Sequence, residues 1–154
     1  MEIIALKEIT AESLREVCIL SDTLSENQKR CVASNAYSVA EAYFCNSAWF
    51  RGIALEDKFV GFVMVDKVPD DIPEEEYPAV YLWRFMIGRK WQKNGFGKQT
   101  LDLLCDKFRN EGYKYLYASC HATGDENPYE FYIKYGFQDT GVQEEGEEVL
   151  KMKL

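Results

Sequence analysis

The sequence holds one histidine, His121, only four prolines, and five cysteines of which no two stand in CxxC spacing. That lack removes the usual signature of a zinc site, and no metal is expected. An odd set of unspaced thiols (Cys18, Cys31, Cys45, Cys105 and Cys120) reads as reduced and mostly buried, as in a cytoplasm. No apolar run approaches the length of a membrane span, so no membrane partner is expected. The opening MEIIALKEIT lacks the basic start and apolar core of a signal peptide. Bases are scarce too, 18 against 26 acids for a net charge of -8. A general nucleic-acid binder would need a broad basic face, so that class is excluded, whereas a neutral or cationic small-molecule substrate fits.

What is present is an ordered chain. With 154 residues, 47% of them hydrophobic, and no repeat or low-complexity run, it is expected to form one domain over 1–154. The segment 3–9 reads as a strand, followed by a helix with Thr10 as N-cap and Leu14, Val17 and Cys18 at helical spacing. SNAYSVAEAYF reads as a second helix capped by Ser34 or Asn35. Two apolar runs flanking EDK predict a hairpin over 49–66. PDDIPEEEYP carries three prolines and five acids and is an exposed loop, which could fringe an acceptor site. AVYLWRFMI, residues 79–87, is nearly all apolar and predicts a strand buried on both faces.

Between Tyr77 and Leu101 the chain has no acid, yet it places Arg84, Arg89, Lys90, Lys93 and Lys98 there, beside Gly95 and Gly97. Leu101, Leu104, Cys105 and Phe108 then fall at helical spacing up to Gly112, and YKYLYASC returns as a strand. A glycine turn at a helix start offers unpaired N–H groups at the positive end of the helix dipole, a site suited to phosphate. The strand–helix–strand order predicts a parallel crossover. Further on, Asn127, Pro128 and Glu130 predict a capping box for a short helix ended by Gly136. The last segments, FQDTGV and EVLKMKL, predict a closing hairpin, and the whole is an α+β (mixed α/β) fold.

The Walker pattern fails, because Lys98 is followed by Gln99, and the dinucleotide pattern GxGxxG fails at Thr100. What remains is Q-x-x-G-x-G, Gln92, Gly95 and Gly97, which resembles the pyrophosphate loop of the GNAT acetyltransferase superfamily. FYIKYGF, residues 131–137, is similar to that family's LYEKLGF element, and the order of elements matches along nearly the whole chain. SNAYSVAEAYF and YLWRFMIGRKWQKNGFGKQTL most resemble the bacterial polyamine branch, the spermine, spermidine and diamine acetyltransferases.

The resemblance implies a central, mostly antiparallel mixed sheet of about seven twisted strands with helices on both faces. It also implies direct transfer of an acetyl group from acetyl-CoA to a primary amine, and often a homodimer. Phe85, Met86 and Ile87 would meet the pantetheine arm, and the loop of Gln92, Lys93, Asn94, Gly95, Phe96, Gly97 and Lys98 the phosphates. Tyr132 matches the tyrosine that donates to the leaving sulfur, and Asn127 either caps its helix, touches the cofactor, or both. Acceptor-wall candidates are Asn35, Tyr37, Glu41 and Tyr43 on the second predicted helix with Trp83 and Arg84 on the central strand. Arg84, a charge inside an apolar strand, needs a carboxylate or the ligand as partner. No general base is visible: the central strand lacks the glutamate some relatives carry, leaving His121, water to Glu41, or a backbone carbonyl. Aminoglycosides, other small amines and protein amino groups are alternative acceptors, and a non-catalytic acyl-CoA-binding module is the alternative outside enzymes.

Overall fold

The computed structural model describes residues 2–154. Its strands are β1 (Ile4–Lys7), β2 (Ala48–Leu55), β3 (Lys58–Asp66), β4 (Ala79–Ile87), β5 (Tyr115–Cys120), β6 (Gln138–Glu144) and β7 (Glu147–Lys153). The helices are α1 (Leu14–Asp22), α2 (Glu26–Cys31), α3 (Asn35–Tyr43), α4 (Phe96–Asn110) and α5 (Tyr129–Tyr135). All seven strands form one sheet in the order β1-β2-β3-β4-β5-β7-β6. Every pairing is antiparallel except β4 with β5, the pair joined through α4. The expected α+β sheet and its single parallel crossover are therefore present.

Alternation along β3 divides the core. Val63 and Val65 pack on one face with Leu101, Leu104 and Phe108 of α4, while Phe62 and Met64 pack on the other with Val17 and Leu20 of α1. All four of those β3 side chains are fully buried, so β3 is the strand enclosed on both faces. The sequence assigns that role to β4, but Trp83, Arg84, Phe85 and Ile87 are only half-buried. The difference comes from a bulge and a parting of strands. Trp83 is an extra residue opposite the Met64/Val65 step of β3, and pairing with β5 stops at Leu82 and Ala118.

Other departures are local. Thr10 does not cap α1. It closes a turn with Ser13, whose backbone N–H and that of Leu14 donate to the Thr10 carbonyl at 3.1 and 2.9 Å, and the helix starts at Leu14. The helix α2 escaped the sequence reading although its signal is present: Ser25 and Gln28 form a capping box, S-x-x-Q. The predicted box at Asn127 and Glu130 is absent. Asn127 instead accepts from the Tyr129 N–H at 3.1 Å and donates to the Gly124 carbonyl at 2.7 Å, which pins the loop before α5.

Candidate active site

Beyond Leu82 and Ala118, β4 and β5 no longer pair, and a cavity of about 710 Å³ opens between them. Its floor is β4 from Leu82 to Ile87, apart from Arg84, with Ser119 and Cys120 of β5 opposite. The loop from Gln92 to Lys98 forms one end, except for Asn94, whose amide turns back to the carbonyls of Trp91 and Gln92 at 3.0 and 3.1 Å. Asn127, Phe131 and Tyr132 close a side. The strand, loop and tyrosine that the sequence singles out thus meet at one cavity.

The loop owes its shape to a few positions. Gly95 sits at φ +82, a left-handed conformation suited to glycine, with open space where a Cβ would point. No side chain caps α4, and its first intrahelical bond runs from the Gln99 N–H to the Gly95 carbonyl at 3.1 Å. The N–H groups of Phe96, Gly97 and Lys98 are therefore free of helical acceptors, at the end where the macrodipole is positive. Lys93 and Lys98 add charge, Lys98 also reaching Asp102 at 3.0 Å. The remaining bases of the predicted cluster lie elsewhere. Arg89 faces Glu126 at 3.7 Å, and Lys90 lies over the Trp91 ring.

Arg84 finds its partner inside the protein, Glu41 of α3 at 2.5 Å. The pair lies on the α1 and α3 side of the sheet with Met64, because the bulge at Trp83 reverses the facing of the residues after it, and Arg84 is not among the residues that line the cavity. Tyr37 is 60% exposed, and neither it nor Glu41 lines the cavity. Trp83 does line it. His121 follows β5 but stays outside the lining. The wall that sequence reasoning missed comes from the turn after α1 and from α2 with its C-cap: Leu24, Gln28, Cys31 and Val32.

A second cavity, about 520 Å³, shares Ser119 with the first. Its other lining residues are Asp71, Glu144, Glu145 and Glu147, with no basic side chain among them. Asp71 comes from the proline-rich acidic loop and the glutamates from the β6–β7 turn. That loop is fastened to the sheet through Glu76, which accepts hydrogen bonds from the Tyr117 hydroxyl and, at 2.6 Å, from Lys151. The negative field extends into the larger cavity: burial first, and then the charge of Glu147, push up the Cys31 and Cys120 thiols, and burial, Cys120 and Glu147 together push up Tyr132.

The Acetyltransferase (GNAT) family profile matches residues 17–137. The chain belongs to the GNAT acetyltransferase family. This GNAT chain is 28% identical over 154 residues to a spermine/spermidine N(1)-acetyltransferase of Bacillus subtilis strain 168, covering 98% of this chain and 99% of that protein. Among solved structures, an acetyltransferase from Thermus thermophilus superposes with a TM-score of 0.75 at 16% identity over all of both chains. The PaiA N-acetyltransferase from Thermoplasma acidophilum, in complex with coenzyme A, gives 0.68 at 16% identity over 98% of this chain and 99% of that one.

As a GNAT enzyme the protein is an acetyl-CoA-dependent N-acetyltransferase, and the chemistry of its cavity is consistent with that. Burial pushes the Tyr132 phenol above its ordinary value, so it carries a proton at neutral pH. Burial and the nearby Glu147 push the Cys120 thiol up to about 12. A thiol held protonated makes a poor nucleophile, which argues against an acyl-cysteine intermediate at this position.

Proposed function

We propose that this acetyltransferase acts on a primary amine of a polyamine such as spermine or spermidine. The observation that carries the reading is the acidic cavity that shares Ser119 with the larger one: four carboxylates and no base line it. A polyamine presents several ammonium groups along an apolar chain. The acidic cavity would hold one while another reaches the β4–β5 opening. The likeness to the Bacillus spermine/spermidine enzyme supports the same acceptor class.

The loop fits a pyrophosphate. It offers three N–H groups, two lysines and a glycine whose missing Cβ leaves the approach open. Phe85, Met86 and Ile87 would flank the pantetheine arm, and acetyl-CoA supplies a thioester carbonyl for attack. The protein's part is positioning and proton traffic. Tyr132 holds a proton for the departing sulfur, and the carboxylates beyond Ser119 are available to take the proton that the ammonium must lose. Free cysteines at all five positions suit a reducing cytoplasm.

Removing charge from the acidic cavity tests the acceptor reading. Because a screened charge pair is worth about 1 kcal/mol at contact, removing two charges in Glu144→Gln/Glu147→Gln should raise the KM for spermine about thirtyfold. The KM for acetyl-CoA should stay near its original value. An unchanged spermine KM would remove the acidic cavity from the acceptor site.

A further inference from the structure

The helix α2 is six residues long and buries none of them, yet Gln28 and Cys31 from it line the larger cavity together with Val32. Among the described residues, its side chains make hydrogen bonds outside the helix and its cap at one point only. The Gln28 amide donates to the Gln92 oxygen at 3.0 Å and accepts from the Gln92 amide at 3.3 Å. Both groups are already engaged. Gln28 also accepts from the Ser25 N–H at 3.2 Å, as the second half of the capping box. Gln92 donates to the Ile87 carbonyl at 2.9 Å, at the end of β4. A continuous relay thus runs from the central strand, through the first residue of the phosphate loop, to the N-cap of α2. Nearby, the Arg89 N–H donates to the Thr23 hydroxyl at 3.0 Å, so the chain just before α2 is tied to the chain just before the loop.

We propose that Gln28 is a positioning residue that couples the phosphate loop to α2, so that cofactor in the loop fixes the α2 wall of the acceptor end. The proposal rests on the reading of the Gln92–Lys98 loop as the acetyl-CoA phosphate site. Little burial holds α2, so its order depends on polar ties, and the amide pair with Gln92 is the one that reaches the loop. Phosphate bound to the loop N–H groups restrains Gln92, and Gln92 in turn restrains Gln28. By linkage the coupling is reciprocal: an acceptor that orders α2 tightens the loop on its cofactor.

The test is hydrogen–deuterium exchange over residues 25–32 with and without saturating coenzyme A, in the wild-type protein and in Gln28→Glu. Glutamate can still accept from the Ser25 N–H, and its charge favours a helix N-terminus, so the cap survives. It cannot donate to Gln92: the shorter of the two bonds is replaced by oxygen against oxygen, and only the longer one, accepted from the Gln92 amide, is left. In the wild type, coenzyme A should slow exchange in this segment about tenfold, the worth of one or two hydrogen bonds. In Gln28→Glu the slowing should fall below about twofold, and by the same linkage coenzyme A should bind more weakly by no more than about tenfold. Rescue in Gln28→Glu/Gln92→Lys, which restores a donor toward position 28, would strengthen the assignment. Coenzyme A that binds without slowing exchange in the wild type would overturn it, as would wild-type protection in Gln28→Glu. Failure of the loop reading looks different: coenzyme A affinity would then be indifferent to changes at Gly97.

Discussion

Tyr132→Phe should lower kcat by about a hundredfold, the lower range for loss of a positioned general acid. The acetyl-CoA Kd should stay within about twofold, because the variant deletes one hydroxyl and keeps a ring that packs against Phe131 and Phe137. Tyr132 is 6% exposed and lines the cavity, so its proton is both retained by burial and accessible to a group bound there. Steady-state kinetics read beside calorimetric titration of acetyl-CoA separate the two effects. An unchanged kcat would show that the leaving sulfur departs without help from this residue.

Gly97→Leu should weaken acetyl-CoA binding by about a hundredfold, equivalent to two charge-assisted hydrogen bonds of the loop. A Cβ at position 97 would lie 3.1 and 3.3 Å from two atoms at the edge of the Phe131 ring, and a leucine would go on to fill the loop's open side. Phe131 is 37% exposed and can yield, so the thermal midpoint should fall by only a few degrees, as expected for a change near about 1 kcal/mol. Gly95→Ala differs in kind. A Cβ there meets nothing within 4 Å, and the cost is that of a left-handed backbone alone, about 1 kcal/mol. Wild-type affinity in Gly97→Leu would place the phosphates somewhere other than this loop.

The parts of this site written in local order are legible in the sequence. The Gln92–Lys98 loop, β4 before it and the amphipathic α4 after it all follow from spacing and glycine chemistry, and Tyr132 from its surrounding motif. What the sequence hides is set by tertiary geometry. The bulge at Trp83 reverses the facing of the residues that follow it, and so puts Arg84 beside Glu41. No alternation count anticipates an inserted residue, because its position depends on the partner strand. The acidic cavity is similarly distributed, joining Asp71 to a turn more than seventy residues later. The helix α2 is a different matter: its S-x-x-Q box is local and readable, but without an apolar face it offers no periodicity to draw notice.

Polyamine acetylation is tested most directly by a mass-resolved assay of acetyl transfer from acetyl-CoA to spermine, spermidine, putrescine, an aminoglycoside and a lysine peptide. A singly acetylated polyamine should be the fastest-formed product, with stoichiometric release of coenzyme A. Faster acetylation of the aminoglycoside or the peptide, or acetyl-CoA binding with no polyamine acetylated, would contradict that function.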